Sequence, residues 1–75
     1  PPRIEALQQL SPPRMANLLR HWLAQQGTQA QTVQMNELVR QITACTTRGH
    51  RIELRVGHGQ VLRQGTHLGW LQSKV

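Results

Sequence analysis

The side chains able to do acid, base, nucleophilic or metal chemistry are few in this chain, and they are scattered. Its three carboxylates, Glu5, Glu37 and Glu53, lie far apart on what read as three different elements. No two are placed to serve one substrate as general acid and base. His21, His50, His58 and His67 lack the close helical spacing of a metal pair, and Cys45 is the only cysteine. One thiol makes neither an intrachain disulfide nor a zinc site. Ser11 precedes a proline and fits a helix cap better than a nucleophile. No helical pattern follows Gly57-His58-Gly59, so it is no phosphate-cradling loop. The residues alone predict no catalytic group, metal ligand or cofactor contact in these 75 positions.

Arginine is what remains. Nine Lys+Arg oppose three Asp+Glu for a formal net charge of +6, and eight of the nine are arginine. The pI is near 11.8. A small domain this basic meets a polyanion, and the arginine bias points to nucleic acid. With one lysine and no basic amphipathic helix of wide apolar face, a membrane surface fits poorly. No run approaches transmembrane length, and no signal-peptide pattern opens the chain.

Five arginines are candidates for nucleic-acid contact. Arg14 falls near the positive end of a helix dipole, where a cation is disfavoured, and a placement against local preference invites a functional reading. An exposed side chain held at little cost is the competing explanation. Arg20 lies beside Trp22 on a helix flank and could touch RNA, stack, or brace the domain through a carboxylate. Arg51 and Arg55 share the polar face of a strand, and Arg63 is a candidate to join them. An arginine-lined sheet face suits phosphate contacts, which set affinity and register without reading bases. A solvated face partly neutralised by Glu53 is the plainer alternative. Trp22 and Trp70 read as core. A stacking platform exposes several aromatics, and this chain has no Phe or Tyr.

The elements that must position these residues are written in the spacing. Pro1-Pro2 reads as the tail of a linker, so the chain reads as one small domain, residues 1–75, from a longer protein. Ile4, Ala6, Leu7 and Leu10 predict a short helix. The stretch LSPPRMANLLRHWLAQQG, from Leu10 to Gly27, predicts a full one. Ser11 suits its cap and Pro12 its first turn, though Pro13 after Pro12 allows a start one residue later. Met15, Leu18, Leu19, Trp22 and Leu23 fall on one face, and Gly27 can close the helix. A third helix follows from Thr32 or Val33, with Thr32 as its cap and Met35, Leu38, Val39 and Ile42 on one face. Cys45, at its end, reads as an inert packed residue, compatible with a reducing cytosol.

The period then changes to two. Ile52, Leu54 and Val56 alternate with Arg51, Glu53 and Arg55, the mark of a half-buried strand. Gly57 to Gly59 turns into a strand from Val61 to Gln64, and Gly65-Thr66 turns into a third from His67 to Leu71. Val61 and Leu62 point opposite ways, which leaves the inward face of the middle strand open. The fold class is α+β, about three helices followed by a three-stranded antiparallel meander.

The LSP-P-R-M-A-N-L-L-R-H-W-L stretch resembles the "LSP-x-R-x-x-N-x-L-R-x-W-L" pattern of the tRNA(Ile)-lysidine synthetases, in their first C-terminal, substrate-recognition domain. The likeness continues through Leu38, Val39 and Ile42, then Leu54-Arg55-Val56-Gly57, Val61-Leu62-Arg63-Gln64 and Leu68-Gly69-Trp70-Leu71. Two departures stand out. Ala30-Gln31 replaces the family's Pro-Ser before the second helix of the pattern. Leu62-Arg63-Gln64 replaces its double Arg and Tyr on the middle strand.

The resemblance implies a non-catalytic tRNA-binding domain of a cytoplasmic ligase. The parent enzymes use ATP to adenylate the wobble cytidine of tRNA(Ile) and then attach lysine. ATP and magnesium belong to the N-terminal catalytic domain of the same chain, with its Ser-Gly-Gly loop, and no cofactor is implied in these residues. The expected partners are tRNA(Ile) and that catalytic domain. Two other classes compete. Helix, turn, helix and hairpin also describe a winged-helix DNA-binding module, whose recognition helix would present Gln34, Asn36, Arg40 and Gln41. A basic protein-interaction domain would use the charge only to steer association.

Overall fold

The structure, a computed structural model, describes residues 1–47 and 49–73. Three helices, α1 (Ile4–Gln8), α2 (Pro12–Gln25) and α3 (Thr32–Ala44), precede three strands, β1 (Glu53–Val56), β2 (Gly59–Gln64) and β3 (His67–Gln72). The strands form one antiparallel sheet in the order β1-β2-β3. The helices cover one of its faces, and the α+β meander expected from the spacing is what forms.

Helix α2 begins at Pro12, without the one-residue delay that Pro13 allows. Both prolines sit in the first turn, where an N–H has no helical partner anyway. Ser11 is extended at the cap position, but its hydroxyl makes no capping bond. Its carbonyl instead accepts the first helical bond, from Met15 N–H at 2.9 Å. At the other end Gly27 takes φ +79°. Gly27 N–H then reaches Ala24 O at 3.0 Å, and Thr28 N–H reaches Leu23 O at 3.1 Å. This is a Schellman closure, which glycine at that position makes cheap. Met15, Leu19, Trp22 and Leu23 are buried, but Leu18 is 42% exposed. Leu18 lies at the border of the apolar stripe that the five residues form.

Helix α3 is capped by Gln31 and not by Thr32, which is the first helical residue. The Gln34 side-chain carbonyl accepts Gln31 N–H at 2.8 Å. At its C-terminal end, Gln8 of α1 donates to both Ile42 O (2.9 Å) and Cys45 O (2.7 Å). Ile42 O also accepts Cys45 N–H at 3.1 Å, so the amide adds a second bond there and caps Cys45 O beyond the helix end.

One core joins the layers. It contains Ile4 and Leu7 of α1, the buried face of α2, Met35, Leu38 and Ile42 of α3, Cys45, Ile52, Val56, Val61 and Leu68. No polar or charged residue is buried among the described residues. The hairpins turn on Gly57 (φ +58°) and Gly65 (φ +63°), each followed by a residue without positive φ. That is the two-residue turn with glycine first, whose twist matches the strands.

Both sheet edges are engaged. Gln41 Oε1 accepts Glu53 N–H at 2.9 Å, and Gln34 Nε2 donates to Arg55 O at 3.2 Å. Gln34 and Gln41 are two helical turns apart, so one face of α3 satisfies the outward backbone groups of β1. On the far edge Leu68 N–H reaches Pro2 O, and Ile4 N–H reaches Thr66 O, both at 2.9 Å. The segment read as a linker tail is thus part of the fold. Pro2 supplies only an acceptor, which an edge position allows.

Candidate nucleic-acid interface

Register sorts the arginines. Across the sheet, Leu54 pairs with Val61 and Val61 with Trp70, while Glu53 pairs with Leu62 and Arg55 with Gln60. Paired residues share a face and successive residues alternate. Val56 and Val61 are fully buried, so their face looks toward the helices. Leu62, half-buried, lies on the outward face with Glu53 and Arg55. Arg51, two residues before Glu53, continues that face. The inward parity left open by Val61 and Leu62 is thereby settled in favour of Val61.

The same parity puts Arg63 on the opposite side of the strand from Arg55, although Arg63 still lines one concavity with Arg51. Arg63 pairs with the buried Leu68 on the inner face. Its guanidinium is tied to backbone carbonyls through Nε and Nη1. Nη1 donates to His50 O at 2.7 Å and Thr47 O at 2.8 Å, and Nε donates to Gly65 O at 2.9 Å. Nη1 also lies 3.3 Å from Cys45 Sγ. Arg63 ties the α3–β1 loop to the β2–β3 turn. The missing signal was available in principle: once Val61 is inward, so is Arg63.

The outward face is open and mixed in chemistry. A concavity of about 750 Å³ lies between the loop residues 49–52 and the turn at Gly65-Thr66. Arg51, Glu53, Gln60 and Leu62 line it. Gly69 sits beside Leu62, and a Cβ there would lie 2.2 Å from the Gln64 side-chain amide carbon. Glycine is therefore what lets the Gln64 amide lie flat on this face. On the inner face the Trp70 ring covers Gly59 in the same way, with its Cζ2 2.3 Å from where a Cβ would stand. Among the described residues, the ion pairs are Arg3–Glu5 at 3.9 Å and Arg40–Glu37 at 2.6 Å. Neither uses Arg51, Glu53 or Arg55.

Arg14 and Arg20 stand exposed on α2, in the helical layer on the other side of the sheet. Arg20 Nη1 donates to Asn17 Oδ1 at 3.1 Å, so an amide and not a carboxylate braces it. The five arginines therefore do not share one surface.

The polar residues of α3 are already occupied. Arg40 grips Glu37 through Nε–Oε1 (2.7 Å) and Nη2–Oε2 (2.6 Å), and Gln41 Nε2 adds a bond to Oε2 at 2.8 Å. These bonds, Arg40's first, pull the Glu37 carboxyl from its ordinary 4.5 down to about 2, and the pairing raises the Arg40 pKa. With Gln34 and Gln41 also holding β1, α3 is not a free recognition helix. Among the described residues no three His, Cys, Asp or Glu side chains gather as a metal site. No described helix is long and apolar enough to cross a membrane.

Residues 3–68 match the family described as the TilS substrate binding domain. The chain belongs to that family. It is 56% identical, over 68 residues and 91% of its length, to the tRNA(Ile)-lysidine synthase of Polaromonas naphthalenivorans (strain CJ2). It spans about a fifth, 21%, of that relative. No solved structure matches. The match to the TilS substrate binding domain runs from Arg3, which bridges to β3 at His67, to Leu68, on the inner face of β3. It favours neither the winged-helix nor the protein-interaction reading. The lysidine-synthetase pattern read from Leu10 to Leu23 falls on α2, where its Leu19, Trp22 and Leu23 are core and its Arg14, Asn17 and Arg20 are exposed.

Proposed function

We propose that this domain binds tRNA(Ile) for an ATP-dependent ligase that attaches lysine to the wobble cytidine, and that it does no chemistry itself. The catalytic domain, with ATP and magnesium, lies elsewhere in the same longer chain, and the enzyme works in the cytoplasm. Family membership and the 56% identity to a tRNA(Ile)-lysidine synthase support the substrate and parent activity.

The observation that carries the site is the register of β1. It sends Arg55 to the open sheet face, and Arg51, just before the strand, lines the same side about 13 Å away, with no ion pair to either among the described residues. Two such cations neutralise phosphates and release counterions. Arg63 supports them from the inner face by fixing the loop that leads into Arg51. Arg14 and Arg20 form the alternative contact, on the helical layer.

A salt titration of tRNA(Ile) binding tests this. Arg51→Gln/Arg55→Gln should weaken binding and flatten log affinity against log salt by about one to two units. An unchanged slope and affinity, with both proteins folded, would transfer the contact to Arg14 and Arg20.

A further inference from the structure

Resting on that reading of the sheet face, we infer that Glu53 accepts a hydrogen bond from the exocyclic amino group of an unpaired RNA base seated over Leu62. Glu53 is otherwise out of place. It stands between Arg51 and Arg55 on a phosphate-binding face, where its charge opposes the attraction. The other two carboxylates are committed, Glu5 beside Arg3 and Glu37 to Arg40 and Gln41. Among the described residues the Glu53 carboxylate has no hydrogen bond or ion pair, while its backbone N–H is anchored to Gln41 at 2.9 Å. The acceptor is unpartnered and its strand is held.

The surroundings suit a base more than a bare phosphate. Leu62 lies directly across from Glu53 and gives an apolar floor, half-buried in the free domain. The Gln60 side chain lines the same concavity, and the Gln64 amide lies over neighbouring Gly69. An amide and a carboxylate beside an apolar floor are groups that read base edges, whereas phosphates need only cations. A carboxylate accepts well from an amino group such as cytosine N4, and it finds no donor at that position on uracil. The concavity opens to solvent, which suits a base splayed out of its stack, the usual target of sequence-specific RNA recognition.

Oligo(C) and oligo(U) of equal length isolate this contact, because their backbones carry the same charge. At neutral pH and low salt the 75-residue domain should prefer oligo(C). Glu53→Ala should lower the ratio of oligo(C) to oligo(U) affinity about tenfold, with oligo(U) binding tightening as the repulsion is removed. Glu53→Gln, which keeps one acceptor oxygen, should fall between. Equal wild-type affinities, or a ratio unchanged in Glu53→Ala, would overturn the inference and leave Glu53 as a repelling charge. Arg51→Gln/Arg55→Gln separates the two levels. If it weakens both oligonucleotides alike, the phosphate reading stands whatever Glu53 does. If it changes neither, the sheet face is off the RNA and both proposals fall.

Discussion

The two faces of the sheet use arginine in opposite ways. On the inner face Arg63 spends its guanidinium on the carbonyls of Thr47, His50 and Gly65. On the outer face Arg51 and Arg55 have no ion pair among the described residues. The residue type is the same and the strands are neighbours. One position of parity decides whether a cation closes a loop or faces a ligand. Net charge therefore overstates the cations available to RNA, and register corrects the count.

The largest effect should come from removing what both faces rest on. Trp22 is 7% exposed within the core cluster. Trp22→Ala should cost about 3–5 kcal/mol in urea unfolding, against the roughly 5–15 kcal/mol that holds a typical domain together. Stability and RNA binding should then be lost together. A folded variant that lost only RNA affinity would move Trp22 into the interface.

Arg63→Met comes next and separates the faces. It keeps an apolar stem but strips the donors from three carbonyls, at a cost of about 1–3 kcal/mol. Arg51→Gln or Arg55→Gln should change stability by less than about 0.5 kcal/mol. Equal destabilisation by all three would erase the distinction drawn from register.

A smaller effect concerns the helix that braces β1. The Glu37 carboxyl is held near 2 against an ordinary 4.5. Between those values the unfolded chain binds the proton first, so stability falls as pH drops through that window and is fully present above it. Glu37→Gln should flatten the loss between pH about 4.5 and 2, with the variant less stable than the wild type at neutral pH and the two converging at the acid end. An identical acid limb in the variant would contradict the role of the Arg40 and Gln41 bonds.

Much of this fold is legible in the sequence because its elements keep strict periods. Met15, Leu19, Trp22 and Leu23 recur at helical spacing, and Ile52, Leu54 and Val56 alternate with polar residues. Gly27, Gly57 and Gly65 mark where the chain must close or turn. The middle strand was opaque because Val61 and Leu62 are adjacent and both apolar, so hydropathy could not choose its inward face. That ambiguity is what misplaced Arg63. The glutamines were illegible for a different reason. Gln8, Gln34 and Gln41 bond backbone groups 34, 21 and 12 residues away, and no local pattern encodes such partners. They look like solvated polar residues, and in α3 like groove-reading ones, until the strand edge beside them is placed. Of the candidate site, the shared face of Arg51 and Arg55 was readable from alternation, while the inward parity of Arg63 and the position of Glu53 across from Leu62 needed the register.

The central claim is that the outer sheet face, and not the helical layer, carries the phosphates. It is tested most directly by salt titrations of tRNA(Ile) binding for three proteins: the wild-type domain, Arg51→Gln/Arg55→Gln, and Arg14→Gln/Arg20→Gln. Each pair removes two formal charges, so the loss of net charge is matched. The sheet pair should flatten the slope by about one to two units and the helix pair by less than about half a unit. A wild-type slope for the sheet pair, with the flattening found in the helix pair, would contradict it.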